Sequence, residues 1–367
     1  MSMRQATPIF FLSRWLGGCA LLLASGAALA LSAHDYRDPN FDYFVSGDPA
    51  LPRAAHTEFG LALMGGGGNV DAAFRFIATR AGHGHIVILR AVGDDSFDAK
   101  DGNYGESFVK KWGPVVSAET IVFHNRRASA DARVIAALKN ADGIFLAGGD
   151  QSNYVRYWKG TPVQELLDAH VRADRPIGGS SAGLAILGRY CYTALDGGSM
   201  ESKVALADPF DAGMTLESNF LHYRGLDDVI TDTHFSTRHR LGRLITFLAR
   251  LNHDLPAGGR VFGVGIDERT ALLVDADGSG RLARGSAGSA WFVMPQQPPG
   301  VLASGQPLSM ARIHIETIDG GGSFDFSTRR AEHPAATATI SIEGGKLTER
   351  SIASPIIARD QAPQDEG

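Results

Sequence analysis

From Phe59 onward, short apolar runs alternate with stretches of helical spacing, and this alternation limits the fold more than anything else in the chain. The apolar runs are Phe59–Met64, His85–Ala91, Thr120–His124 and Gly143–Ala147, with a fifth ending at Ser180. Val70–Thr79, Ala128–Asn140 and about Gln164–His170 carry helical spacing between them. Nearly continuous apolar runs belong to parallel strands covered on both faces. The pattern predicts an α/β fold: a parallel sheet with helices on both faces. An apolar fraction of 44% supplies the core. A net charge of −5 gives no basis for binding nucleic acid through bulk charge. After about residue 300 the pattern degrades into short alternating runs broken by Pro, Gly and Ser, and from about Ala331 it reads as a loose extension.

The N-terminus reads as an export signal. Arg4 and Arg14 precede an apolar run, no acidic residue appears before Asp35, and small residues follow at Ala28-Leu29-Ala30 and Ser32-Ala33. The expected organisation is a signal peptide over 1–33, a catalytic domain over 34–300 and a partly loose extension over 301–367. With the signal removed, the protein is expected to be periplasmic or secreted, with no stable membrane association. Cys191 is then the one remaining cysteine, expected to be buried rather than reactive.

The fifth run leads into Gly179-Ser180-Ser181-Ala182-Gly183, a G-x-S-x-G pattern. Such spacing suits a tight strand-to-helix turn that lifts the serine hydroxyl clear of the sheet. The amide of Ala182 points where an oxyanion would form, and the turn at Gly148-Gly149-Asp150, ending another strand, offers a second donor. Gly65–Gly68 follows the first strand. It lacks the spacing of a dinucleotide loop and a following Walker lysine, so it reads as close backbone packing.

A nucleophilic serine needs a base and a group to orient the base. His234 ends the short strand over Asp228–Thr231 and precedes a helix expected to be capped by Ser236 or Thr237. On that wheel Arg238 faces the apolar stripe, while Arg240, Arg243 and the competing base His239 face away. Glu201, in the glycine-rich loop after the serine helix, is a candidate orienting acid beside Asp196, Asp208 and Asp232. There is no His-x-x-x-His helix and no cysteine cluster, so neither a metal nor a cofactor is expected.

Four motifs in order resemble those of cyanophycinases and their relatives in serine peptidase family S51, whose core is similar to that of class I glutamine amidotransferases. They are Ala147-Gly148-Gly149-Asp150-Gln151, the serine turn, Asp232-Thr233-His234-Phe235 with Arg238, Arg240 and Arg243, and Gly265-Ile266-Asp267-Glu268-Arg269-Thr270-Ala271. The resemblance covers roughly residues 57 to 275. It implies a flavodoxin-like core, Ser181 as nucleophile, His234 as base and Glu201 as the acid. It also implies an oxyanion hole from Gly149, Asp150 and Ala182, and substrate contacts from Gln151, Asp232, Arg238, Arg240, Arg243 and Glu268. The implied partner is a peptide or a cyanophycin-like polymer; a homodimer is a separate expectation. One departure touches substrate choice: Thr233 stands where cyanophycinases usually carry glutamine. An aspartyl exopeptidase of the same family and an α/β-hydrolase esterase are the alternatives.

Overall fold

The computed structural model describes residues 35–92, 104–255 and 260–349. The expected signal peptide and the last residues of the chain lie outside them. Five parallel strands form the centre of an eleven-stranded sheet, in the order Ser117–Phe123, His85–Ala91, Gly143–Leu146, Ile177–Ser180, Leu61–Met64. Alternate residues of these strands feed two cores. Val87, Leu89, Ile144 and Leu146 pack with the helices Ala132–Asn140, Gln151–Trp158 and Pro162–Arg172. Ile86, Ile88 and Phe145 pack with Phe74 of the helix Asp71–Arg80 and with Phe108 and Trp112. This is the expected α/β arrangement, helices on both faces, and the period-2 side-chain alternation of strands produces it.

The sheet is mixed, however, not wholly parallel. Phe41–Gly47 flanks one side antiparallel. Ala271–Val274, Ser279–Leu282, Ser323–Asp325 and Arg330–Glu332 extend the other. A second sheet of six strands also forms: Val229–Asp232 pairs parallel with Phe262–Ile266. Ala290–Pro295, Met310–Ile318, Ala336–Glu343 and Lys346–Glu349 then follow antiparallel.

The stretch expected to be loose from about Ala331 is therefore corrected as far as residue 349: residues 301–349 supply strands to both sheets. Their alternating runs are half-buried strands, buried on one face only: Met310, Ile313 and Ile315 of one pack against Ala338, Ile340 and Ile342 of the next. Phe324 stacks on Phe292 with ring centroids 3.6 Å apart, joining the two sheets. Short strands interrupted by turn residues have no sequence period strong enough to separate them from a loop.

The strand before His234 belongs to the second sheet, not to the sheet that carries the serine. Thr231 donates its hydroxyl to the Leu184 carbonyl at 2.7 Å, which draws this strand onto the short helix that follows the serine.

Candidate active site

The serine turn is built by close backbone approach. Strand Ile177–Ser180 lies between two parallel neighbours and ends directly at Ser181, whose backbone stands at φ 53°, ψ −121°. A non-glycine residue at positive φ is strained and persists only where its surroundings hold it. Here the Ser181 amide donates to the Met64 carbonyl at 3.1 Å and its carbonyl accepts from Ala185 at 2.9 Å. The flanking glycines are required: a Cβ on Gly183 would lie 2.1 Å from the Leu146 carbonyl oxygen, and one on Gly179 would lie 2.5 Å from that of Gly183.

His234 comes from the second sheet. Its amide donates to the Gly65 carbonyl at 2.8 Å, which ties it to the end of the strand Leu61–Met64 in the serine sheet. Its Nε2 lies 2.7 Å from the Ser181 hydroxyl. Its Nδ1 lies 2.5 Å from Glu268 Oε1. With the proton on Nδ1 donated to the carboxylate, Nε2 is left to accept from the serine. Burial lowers the His234 pKa below the usual imidazole value. The hydrogen bond to Glu268 opposes this, and the positive charge of Arg238 and Arg240 adds to it. These effects together favour the neutral ring, the state a base requires.

Glu268 occupies the position expected for Glu201. It lies in the turn Asp267–Thr270, which carries the chain from Phe262–Ile266 in one sheet to Ala271–Val274 in the other. That crossing places its carboxylate at the junction where Ser181 and His234 meet. Glu201 instead has a side chain 67% exposed and pairs with Lys203 at 3.2 Å. The expected orienting role of Glu201, and the substrate contact expected of Glu268, are thus corrected. Sequence order hid this, because Glu268 follows the histidine instead of preceding it. The signal available was the strand–acidic turn–strand pattern around it.

The Gly65–Gly68 loop packs against this line as close packing predicts. A Cβ on Gly66, at φ 92°, would lie 2.6 Å from the His234 ring, and one on Gly67 would lie 2.5 Å from the Glu268 carboxyl. Asp267 anchors the turn from behind. It accepts from the Ser236 amide at 3.0 Å, the Ser289 amide at 2.9 Å and the Trp291 indole at 3.1 Å.

Two hollows meet at Ser181. One, about 380 Å³, is lined by Gly66–Asn69, Tyr104, Ser107, Trp112 and Gly148. The other, about 320 Å³, is lined by Gly149, Asp150, Gln151, Ala182, Gly197–Ser199, Arg156, Arg238 and Arg240. Gly149, Asp150, Ala182 and Gln151 border this cleft. The Asp150 carboxylate is used locally, accepting from the Ser152 amide at 2.8 Å to cap the helix Gln151–Trp158. Arg156 on that helix was missed. Its guanidinium donates to the Leu195 carbonyl at 2.7 Å and borders the cleft five residues after Gln151.

The arginines reverse their expected positions. Arg238 is exposed, whereas Arg240 and Arg243 are only 6% and 2% exposed. The helix begins at Leu241, not near Ser236, so Arg238 and Arg240 precede it and helical spacing does not apply to them. It is also buried almost all round, from Leu241 to Ala249. Arg243 bonds both oxygens of Asp232, with Nε 2.8 Å from Oδ2 and Nη2 2.5 Å from Oδ1. Arg240 donates to the Thr233 carbonyl at 2.8 Å and to the Thr233 hydroxyl at 3.0 Å, and reaches Asp232 at 3.4 Å. Both arginines also donate to Ser199. Burial raises the Asp232 pKa, but the two guanidinium groups outweigh it and hold the carboxyl below its usual range. Asp232 and Arg243 are thus spent on each other, not on substrate. The Thr233 hydroxyl is likewise engaged within the protein.

The sequence model of peptidase family S51 matches residues 95–279, about half of the chain, and spans Ser181, His234 and Glu268. The chain belongs to peptidase family S51. Within that family it is similar to the cyanophycinase of Synechococcus elongatus, at 29% identity over 224 residues, 60% of this chain and 63% of that one. It is also similar to the cyanophycinase of Trichormus variabilis, at 29% identity over 217 residues, 58% of this chain and 66% of that one. The match spans just under two thirds of these relatives. A crystal structure of a peptidase from an acI-B1 Actinobacterium is similar at 16% identity and a TM-score of 0.49, covering 74% of this chain and 98% of that one. The Gly65–Gly68 loop and the strands beyond Leu282 lie outside the family match.

Proposed function

We propose that the protein is an exported serine peptidase that hydrolyses the polyaspartate backbone of cyanophycin and releases β-Asp-Arg dipeptides. The observation that carries the reading is the continuous line from Ser181 through His234 to Glu268, set in a cleft with arginines at its border. Ser181 Oγ attacks the scissile carbonyl while His234 Nε2 takes its proton. Glu268 holds the imidazole in the required tautomer and stabilises the imidazolium that forms. The Ala182 amide and an amide of Gly149 or Asp150 receive the oxyanion. His234 then returns its proton to the leaving amine. Water, deprotonated by His234, hydrolyses the ester and regenerates Ser181.

Each repeat of such a polymer carries a carboxylate and a guanidinium. Arg238, exposed at the cleft, and Arg156 suit the carboxylate. The similarity to cyanophycinases supports this substrate. The apolar N-terminal run with upstream arginines supports export, which suits scavenging of polymer released by other cells.

The test is incubation of the mature protein with insoluble cyanophycin and mass spectrometry of the soluble fraction. The reading requires β-Asp-Arg that disappears with Ser181→Ala. Intact polymer alongside cleavage of simple aspartyl dipeptides would replace it with an aspartyl exopeptidase.

A further inference from the structure

A third hollow, about 560 Å³, opens on the six-stranded sheet and touches none of Ser181, His234 and Glu268. It lies at the opposite end of the strand Phe262–Ile266 from the catalytic turn. At about 3.3 Å per residue, the chain from Phe262 to Glu268 spans up to roughly 20 Å. Four arginines line it: Arg260, Arg312, Arg329 and Arg330. Such a concentration runs against the sign of a chain whose net charge is −5.

The counter-charges nearby are already engaged. Asp228 pairs with Arg329. Glu316 accepts from His314 at 3.1 Å and from the Ala331 amide at 2.7 Å. Arg260, Arg312 and Arg330 are exposed and have no carboxylate partner among the described residues.

The backbone aims two of these side chains at a conformational cost. Arg312 stands at φ 54° within a register shift between Met310 and Ile313, and Arg329 stands at φ 56°. Bulges re-aim side chains, and left-handed backbone at a bulky residue is uncommon. The Arg312 carbonyl accepts from the Gln296 amide at 3.0 Å, which fixes the bulge against the neighbouring strand.

We propose that this hollow is an anchoring site for a peptide chain bearing closely spaced carboxylates, separate from the catalytic cleft. Guanidinium forks match carboxylates in bidentate geometry, and several forks on one rigid sheet match a repeating anion. Its use with the polymer rests on the substrate proposed above. There the arginine carboxylate lies next to the amide linkage, close to the backbone, while the guanidinium swings clear on its three-carbon stem. An anchor at the far end of this strand from the cleft keeps the enzyme on an insoluble particle between cleavages by raising the effective concentration of substrate.

Soluble poly-L-aspartate is the probe, titrated calorimetrically into full-length protein carrying Ser181→Ala. Adding Arg312→Ala with Arg330→Ala is expected to weaken binding by about tenfold or more. Arg312→Lys with Arg330→Lys should retain most of it, and binding should fade toward 1 M salt. In the active enzyme, Arg312→Ala with Arg330→Ala should leave turnover of short soluble β-aspartyl peptides unchanged. Equal affinity with and without the alanine pair would overturn the site, as would a loss of short-peptide turnover. Polyaspartate binding reads the anchor and β-Asp-Arg release reads the peptidase, so either fails without the other.

Discussion

At the scale of single residues, the chemistry depends on His234 being neutral. Burial pushes its pKa down, against the pull of Glu268. The acid limb of kcat/KM should therefore have its midpoint below about 6.5, the usual imidazole value. Activity is present above that midpoint and lost as pH falls through it. Arg238 contributes to the depression from the cleft border, so Arg238→Ala should move the limb to higher pH. A pH–rate profile of both proteins checks the sign, and a downward shift would exclude Arg238 as a contributor. Ser181→Ala and His234→Ala should each lose on the order of 10⁴-fold or more in kcat. Ser181 and His234 were legible in the sequence because each follows an apolar run that ends in a recognisable turn. Glu268 was legible as a motif but not as a role, since nothing in the linear chain says which acidic turn a crossing between two sheets brings to the histidine.

At the scale of elements, the cluster of Asp232, Arg240 and Arg243 ties the histidine strand and the helix Leu241–Asp254 to the loop at Ser199. Removing one member of a buried ion cluster leaves the others uncompensated, at about 3–5 kcal/mol. Asp232→Asn should lower the unfolding free energy by that order in urea denaturation. The carboxyl pKa is depressed in the fold, so its stabilisation is present above the unfolded value and lost as pH falls through the folded one. The variant should accordingly lose part of the acid dependence of stability. The wheel drawn from Ser236 misplaced Arg238 and Arg240 because residues between Phe235 and Arg240 turn without forming helix. Helical spacing applies only within the helix. The glycine loop belongs to this scale as well. Gly66→Ala should displace the His234 ring and depress kcat, and its positive φ makes it cost stability as well, so thermal unfolding is measured beside turnover to separate the two effects.

At the scale of the whole molecule, the parallel core was readable because buried strands and amphipathic helices carry strong, distinct periods. The second sheet was not. Its first three strands are buried runs that read like those of the parallel core, the next two alternate, and their pairing is long-range, so no local pattern assigns them to one sheet. Its packing shows that the C-terminal part belongs to the fold: Phe324 and Phe326 pack with Phe262 and Phe292 between the sheets. Phe324→Ala should cost about 3–5 kcal/mol. A chain ending at residue 300 should fail to fold cooperatively, and a sharp thermal transition in that truncation would contradict this account of the core.

The geometry that unites the two sheets is the line from Ser181 to Glu268, and its most direct test compares two glutamates. Turnover of a soluble β-aspartyl-arginine oligomer is measured for Glu268→Gln and Glu201→Gln beside the unaltered protein. Glu268→Gln should lose on the order of 10²–10⁴-fold in kcat, as when a triad acid is replaced by its amide. Glu201→Gln should stay within about twofold, as expected of an exposed surface change. Near-normal turnover in Glu268→Gln, with a deep loss in Glu201→Gln, would contradict the account.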